Sequence, residues 1–191
     1  QSDRGWMPTF PEVTGDSHRM NGNHAVAVIW DAYCKGLGDF DLEAAYEACK
    51  GAITEKTLLP WLRLPVTELD KFYQEKGYFP ALGVDEKETC AAVHSFEKRQ
   101  AISVMLGNCY DSWCLAQIAK VLNKPEEYKR FMKMSGMFIM LRPVFSILRI
   151  KTGSLSNRLI TVTRADRVHV SIMEKIMAGY IVGMCSTILP I

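Results

Sequence analysis

Apolar side chains recur at helical spacing in several separate stretches of the chain. The first stretch follows Asn23, a residue type that caps helices, and ends near Gly36. A second follows Asp41, and its apolar positions are Leu42, Ala45, Tyr46 and Cys49. We expect this second helix to stop at Gly51, because glycine commonly ends helices. The pattern therefore predicts a helical hairpin with a short turn between its two helices.

A short helix is predicted in the middle of the chain, with a loop on each side of it. Thr67 is a capping residue, and the helical pattern behind it runs through Gln74 to a stop at Gly77. Residues 57–65 contain two prolines and residues 78–83 contain one, so both stretches are predicted to be loops.

Two more helices are predicted before residue 136. The longer one runs from about Phe96 or Ala101 to Leu122 and is apolar on nearly every side, which indicates burial on several sides. The next begins at residues 124–127, where a proline lies in the first turn and acidic side chains lie at the positive end of the helix dipole. Its inward side chains are predicted to be Tyr128, Phe131 and Met132.

The fold class predicted from these elements is all-α with long loops. No segment before residue 136 shows convincing alternation of apolar and polar residues, which is the pattern of a half-buried strand. Consecutive helices without intervening strands are typical of a helical bundle, a solenoid or an α/α barrel.

Composition changes this picture only near the C-terminus. The 191 residues are 48% hydrophobic and 23% charged, which is ordinary for a globular chain. The net charge of +2 gives no reason to expect a nucleic-acid partner. Residues 1–136, however, carry 16 basic and 19 acidic side chains, whereas residues 137–191 carry 7 and 2. All four tryptophans lie in the first part, and nine of the thirteen isoleucines lie in the second.

Targeting and metal signals are weak. The six cysteines form no C-x-x-C pair and no zinc-type cluster, so they are expected to be free and mostly buried thiols. The longest apolar stretch, residues 179–191, is shorter than the roughly 20 residues of a transmembrane helix, so no membrane span is expected. The start at Gln1 lacks the pattern of a signal peptide.

Three polar positions are candidates for chemistry. His24, near a helix start, suits either a structural role or a ligand-binding role, and Glu97 lies in a charge cluster typical of a solvated surface. Asp111 stands inside an otherwise apolar helix, where a carboxylate needs a partner. Its aromatic neighbours Tyr110 and Trp113 also suit a sugar, whose C–H face packs on rings while its hydroxyls bind acids.

A series of short motifs in a fixed order then connects the chain to a known family. They are Gly-Trp-Met-Pro at 5–8, Met-Asn-Gly-Asn-His-Ala at 20–25, Asp-Ala-Tyr-Cys-Lys-Gly at 31–36, Phe-Asp at 40–41 with Ala-Tyr at 45–46, Gly-Tyr-Phe-Pro at 77–80 and Tyr-Asp-x-Trp-Cys-Leu-Ala at 110–116. In this order they resemble glycoside hydrolase family 92, the α-mannosidases. The resemblance covers about residues 1–136.

The resemblance implies a fold and an activity. It implies that residues 1–136 are a fragment of an (α/α)6-barrel catalytic domain, which in the family packs against an N-terminal β-sandwich domain. It further implies an exo-acting, inverting, calcium-dependent enzyme that removes terminal α-linked mannose from glycans, usually after export from the cell. Inversion needs one acidic and one basic carboxylate, separated by enough space for a water. His24, Tyr110, Asp111 and Trp113 are the expected substrate-binding residues, and no metal ligand can be identified.

The chain departs from the pattern implied by the resemblance at two positions: Asn23 takes the place of the aspartate in Gly-Asp-His, and Gly107 takes the place of a glutamate. The resemblance places the usual general acid at residue 107, which is glycine in this chain and has no proton to transfer. Glu97 is a weak substitute candidate. The general base and the calcium ligands are expected downstream of residue 136, so the isolated chain is expected to be inactive.

The C-terminal residues 137–191 are predicted to be an irregular tail without domain character. With permitted codons, a shifted reading frame from Glu174 onward spells ENNGWIYRWDVQHNPAD, which resembles the next block of the family. We therefore interpret the tail as an out-of-frame translation. The alternative is a non-enzymatic helical interaction module whose basic tail binds anionic lipid or RNA through Arg142, Arg149, Lys151, Arg158, Arg164 and Arg167.

Overall fold

The computed structural model describes residues 5–17, 22–60, 65–82 and 86–135. In these ranges the chain forms one pair of two-residue strands and five helices. The strands β1 (Pro11–Glu12) and β2 (Gly15–Asp16) pair antiparallel. The helices are α1 (Ala25–Cys34), α2 (Leu42–Thr54), α3 (Glu68–Lys76), α4 (Ala101–Val121) and α5 (Pro125–Ser135). The predominance of helix confirms the predicted all-α class for these ranges, while the predicted irregular tail, residues 137–191, lies outside them.

Local capping chemistry sets several of the helix ends where the sequence predicts them. Asp41 begins α2, and its carboxylate accepts a hydrogen bond from the Ala44 amide at 3.0 Å. Thr67 and Asp70 form a reciprocal capping box at the start of α3. Gly77 ends that helix in the left-handed conformation, with φ of 79°.

Two predicted helix boundaries are wrong, and a long-range contact accounts for one of them. Helix α2 continues past Gly51 to Thr54, since the missing side chain of Gly51 accommodates the indole of Trp6 rather than ending the helix. The cap of α1 is His24, not Asn23, and the backbone N–H of Asn23 donates to Asp111.

Helix α4 is the centre of the fold. It packs against α1, α2 and α5. Its C-terminal half lies in one buried cluster whose largest members are Val26, Tyr46, Ile53, Leu115, Ile118 and Phe131. Its N-terminal half lies in a second cluster, which includes Leu58, Leu69, Tyr73, Phe79, Val104 and Met105. The predicted burial of this helix on several sides is confirmed.

Helix α5 covers the first of these clusters. Phe131 is fully buried, and Tyr128 and Met132 are partly buried against the same residues, as the sequence predicts. Pro125 is the first residue of the helix, where its missing N–H costs nothing.

The N-terminal segment is held against the end of α2 by polar contacts. The Met7 amide donates to the Ala48 carbonyl at 3.2 Å, and Trp6 Nε1 donates to Glu55 at 3.2 Å. The buried Lys56 ammonium lies 3.9 Å from the buried carboxylate of Asp16 and donates to the hydroxyl of Thr9. Residues 5–17 are therefore fixed on one side of the helical core.

A buried arginine fixes the loop that leads into α4. The guanidinium of Arg99 makes two hydrogen bonds to Glu88, at 2.6 and 2.7 Å, and one to the Pro80 carbonyl at 3.1 Å. Two-point pairing of this kind defines the orientation of both side chains. It joins residues 78–82 to the segment in front of α4.

Four of the cysteines in the described ranges are buried thiols outside any disulfide, as predicted: Cys49, Cys90, Cys109 and Cys114. Cys34 is also a free thiol, but it is exposed. None of the helices in the part of the chain that the structure describes is long and apolar enough to cross a membrane.

Candidate active site

A buried carboxylate and a half-exposed imidazole form the centre of the candidate site. Asp111 is fully buried in the middle of α4. One of its oxygens lies 2.8 Å from His24 Nδ1, and the other accepts the backbone N–H of Asn23 at 2.8 Å. A carboxylate only accepts hydrogen bonds, so Nδ1 of His24 carries the proton in this pair. The prediction that Asp111 needs a partner is confirmed, and His24 supplies one.

The charge of Asp111 controls the protonation of His24. The negative carboxylate raises the pKa of the imidazole, partial burial opposes this shift, and the hydrogen bond adds to it. The His24 side chain is 45% exposed. The pair therefore favours a protonated imidazole that still has access to solvent.

Two glycines surround the imidazole ring. A Cβ added at Gly22 would lie 2.6 Å from His24 Nε2, and one added at Gly107 would lie 3.3 Å from Cε1. Gly22 also has a φ of 94°, a conformation that other residues rarely adopt. Both glycines thus leave room for the ring. The sequence motif contained Gly22 and Asn23 but did not predict their roles, although the Gly-x-His spacing was the available signal.

Tyr110 and Trp113 stack on each other along α4. Their ring centroids are 6.5 Å apart, and the ring planes differ by 9°. Both side chains are partly buried against the first core cluster. Because residues two apart in a helix are about 200° apart around its axis, Trp113 lies on nearly the opposite side of α4 from Asp111. Tyr110, the residue before Asp111, lies about 100° from it around the same axis.

The weak acid candidate Glu97 lies away from this pair. It precedes α4 and accepts a hydrogen bond from Gln100 at 2.6 Å, while its own amide donates to His94. Gly107 is six residues inside the helix, about 9 Å along the axis from its first residue. Among the contacts of the described residues, none joins Glu97 to His24 or Asp111.

Neither a thiol nucleophile nor a metal cluster is evident around the pair. Burial, aided by the charge of Asp111, raises the pKa of Cys49 to about 12, so this side chain stays a thiol at neutral pH. In residues 5–17, 22–60, 65–82 and 86–135, no group of three or more His, Cys, Asp or Glu side chains could hold a metal ion.

Comparison with known proteins shows which family the chain is similar to. The family described as "Glycosyl hydrolase family 92 catalytic domain" matches this chain over residues 1–149. The match extends beyond the stretch covered by the sequence motifs. No curated protein matches the chain.

Three solved structures from Bacteroides thetaiotaomicron are similar in fold. The family GH92 α-mannosidase BT3965 is 24% identical over 84% of this chain, with a TM-score of 0.60. Its complex with mannoimidazole is 24% identical over 81%, with a TM-score of 0.59. The family GH92 inverting mannosidase BT2199 is 22% identical over 81%, with a TM-score of 0.61. The chain spans only 18–19% of the length of these proteins.

Proposed function

Because the chain belongs to glycosyl hydrolase family 92 through its catalytic domain, we propose that it forms one wall of the sugar pocket of an α-mannosidase. The substrate is terminal α-linked mannose in a glycan. The observation that carries this proposal is the hydrogen-bonded pair of His24 and Asp111, on a helix that also carries the stacked rings of Tyr110 and Trp113. The half-exposed imidazole offers a polar group toward solvent, and Tyr110 and Trp113 supply stacked aromatic rings on the same helix as Asp111. This combination suits a ligand with hydroxyls on its rim and C–H groups on its face.

The proposed reaction is exo-acting hydrolysis with inversion at the anomeric carbon. Inversion requires an acid on the leaving-group oxygen and a base that activates a water on the opposite face of the sugar. The base is assigned to segments outside the described residues. In support, the similar protein BT2199 is described as an inverting mannosidase, and BT3965 has been solved with mannoimidazole.

The calcium ion implied by the resemblance does not fit the described residues. They contain no cluster of three or more metal-type side chains, and both oxygens of Asp111 already accept hydrogen bonds. A calcium site needs six to eight oxygen ligands. We therefore assign calcium binding to other parts of the catalytic domain and derive no step from it.

The proposed architecture is a partial (α/α)6 barrel over residues 1–136. The packing of α1 on α2 and of α4 on α5 supports it. Val28, Tyr33, Leu37 and Phe40 leave apolar surface exposed on α1 and the turn after it. In the proposed complete domain this surface would be covered by further helices, with the N-terminal β-sandwich domain alongside. The proposed location of the complete enzyme is outside the cytoplasm, where glycans are available.

We propose that residues 1–191 alone hydrolyse no mannoside. Catalysis needs an acid, a base and the sugar held in register, and loss of positioned groups costs orders of magnitude in rate. The test is to incubate the purified chain with α-mannosides with and without calcium and to measure released mannose. Release above background would overturn the proposed inactivity. A chain extended to the full length of the relatives is expected to release mannose, and failure of that protein on every α-mannoside would overturn the mannosidase assignment.

We further propose that residues from about 135–137 to 191 are translated out of frame. The support is the shift in charge and isoleucine content and the family-like string in the shifted frame. Sequencing the source DNA beyond codon 134 tests this. An intact frame, with no family-like block in the shifted one, would overturn it.

A further inference from the structure

The His24 imidazole is held at one nitrogen and is partly exposed to solvent. Nδ1 is occupied by Asp111, which is fully buried. Nδ1 faces this buried carboxylate, so the 45% of the side chain that is exposed lies away from it. Gly22 and Gly107 lie against the Nε2 and Cε1 part of the ring, where an added Cβ would be 2.6 Å from Nε2 and 3.3 Å from Cε1, respectively, and neither residue places a side chain there.

The ring is also fixed in orientation. Asp111 cannot rotate without losing the hydrogen bond from the Asn23 amide, because its two oxygens serve different donors. Asn23 and His24 are consecutive, so the carboxylate holds the backbone and the side chain of the same turn. A histidine held through Nδ1 by a carboxylate keeps its Nε2 proton in one direction, which is the arrangement that positions a histidine for proton transfer.

We propose that His24 is the proton donor to the glycosidic oxygen, that Asp111 is its positioning residue, and that the absence of a side chain at Gly107 provides the space for this histidine. This inference rests on the proposed mannosidase function. His24 has a proton to donate, whereas Gly107, at the usual position of the general acid, has none. Glu97 is not used, because its contacts are with Gln100 and His94.

The Nε2 proton moves to the glycosidic oxygen while the bond between the anomeric carbon and that oxygen breaks, and the bonding electron pair stays on the oxygen. The departing group leaves as an alcohol. A water attacks the anomeric carbon from the other face and gives its proton to a carboxylate base. The neutral imidazole then takes a proton from solvent.

An affinity label tests this without turnover. The probe is mannosylamine bearing a bromoacetyl group on its anomeric nitrogen, used on the 191-residue chain at mildly alkaline pH. If the sugar sits with its anomeric substituent at His24, Nε2 displaces bromide from the CH2 group. Peptide mass spectrometry then compares His24 with His18, His94 and His169. We expect His24 to react about tenfold or more faster than the other histidines, because proximity raises the local concentration of the reagent.

Three controls make the result specific. Free mannose should slow the labelling of His24, and bromoacetamide without a sugar should show no preference for it. Gly107→Ala should reduce His24 labelling several-fold, since the new methyl would lie 3.3 Å from Cε1. Gly38→Ala is the matched control, because a Cβ there meets nothing within 4 Å, and it should leave the labelling unchanged.

The two proposals fail in different ways. Mannose-protected labelling of another residue, such as Glu97, would overturn the role of His24 and leave the sugar site standing. Labelling of His24 that is equal with and without the sugar portion of the reagent would also overturn its role. If mannose protects no residue from the reagent, both the sugar site and the role of His24 are wrong.

Discussion

The indole of Trp6 lies on the backbone of α2 at Gly51, where an added Cβ would be 2.7 Å from Trp6 Cδ1. Glycine inside a helix costs about 0.5–1 kcal/mol relative to alanine. At this position of α2 a side chain would displace Trp6, so glycine is needed in spite of its lower helix propensity. The contact fixes the segment that contains Trp6 and Met7 on the core.

A double-mutant cycle measures this contact. In a Trp6→Ala background, Gly51→Ala should stabilise the chain by about 0.5–1 kcal/mol through helix propensity. With Trp6 present, the same change should be neutral or destabilising, because the indole must move. Urea unfolding of the four proteins gives the coupling energy, which we expect to be about 1 kcal/mol. Equal effects of Gly51→Ala in both backgrounds would contradict the contact.

The carboxylate of Asp111 is predicted to matter for stability as well as for the site. Asp111→Asn keeps the shape of the side chain but replaces one acceptor oxygen by a donor, so either the Asn23 amide or His24 loses its partner. The expected cost in the free energy of unfolding is about 2–3 kcal/mol, measured by urea denaturation. Asp31→Asn is the matched control, because Asp31 pairs with Lys35 at the surface. Its cost should stay within about 0.5 kcal/mol.

The raised pKa of His24 predicts a pH dependence of stability. A group whose pKa is higher in the folded state stabilises the fold at pH values below its unfolded pKa, and this contribution is lost as the pH rises through the folded pKa. Asp111 is the charged side chain that the described contacts place against the imidazole. We therefore expect the stability difference between the chain and His24→Gln to be largest near pH 6 and to shrink toward pH 9.

Nuclear magnetic resonance of the His24 ring checks the same prediction directly. Its titration midpoint should lie above the ordinary histidine value of about 6.5, and Asp111→Asn should bring it down. A midpoint that does not respond to Asp111→Asn would show that the carboxylate does not control this histidine.

The carboxylate of Asp70 is predicted to hold α3 in place. It is buried and accepts hydrogen bonds from the Thr57 hydroxyl at 2.6 Å, the Leu58 amide at 2.9 Å and the Thr67 amide at 2.7 Å. Asp70→Asn should cost about 2–3 kcal/mol, because it sets a donor against buried donors. Thr67→Ala, which removes only the cap hydroxyl, should cost about 1 kcal/mol. Thermal unfolding should give this order, and the reverse order would contradict the role of Asp70.

The sequence was a sufficient guide where an interaction is local. Asp41 and Thr67 cap their helices and Gly77 ends one, because each acts on backbone groups within a few residues. The role of Gly51 was predicted wrongly because the glycine makes room for Trp6, which is 45 positions away in the sequence. A capping pattern contains no information about such a contact.

The candidate site, too, could be predicted from the sequence only in part. A carboxylate inside an apolar helix signals that a partner exists, and this much of Asp111 could be predicted. That the partner is His24, and that Gly22 and Gly107 make space for its ring, depends on how α1 packs on α4. The buried carboxylate of Asp70 was missed, because within an exposed-looking sequence segment it resembles an ordinary first-turn acidic residue.

The separation of His24 from Asp111 has a consequence for synthesis. The two residues are 87 positions apart in the chain. At a translation rate of about 5–20 residues per second, the ribosome reaches Asp111 about 4–17 s after His24. During this interval the nascent chain carries the histidine without the carboxylate that orients it, so the site is assembled only when α4 emerges from the exit tunnel.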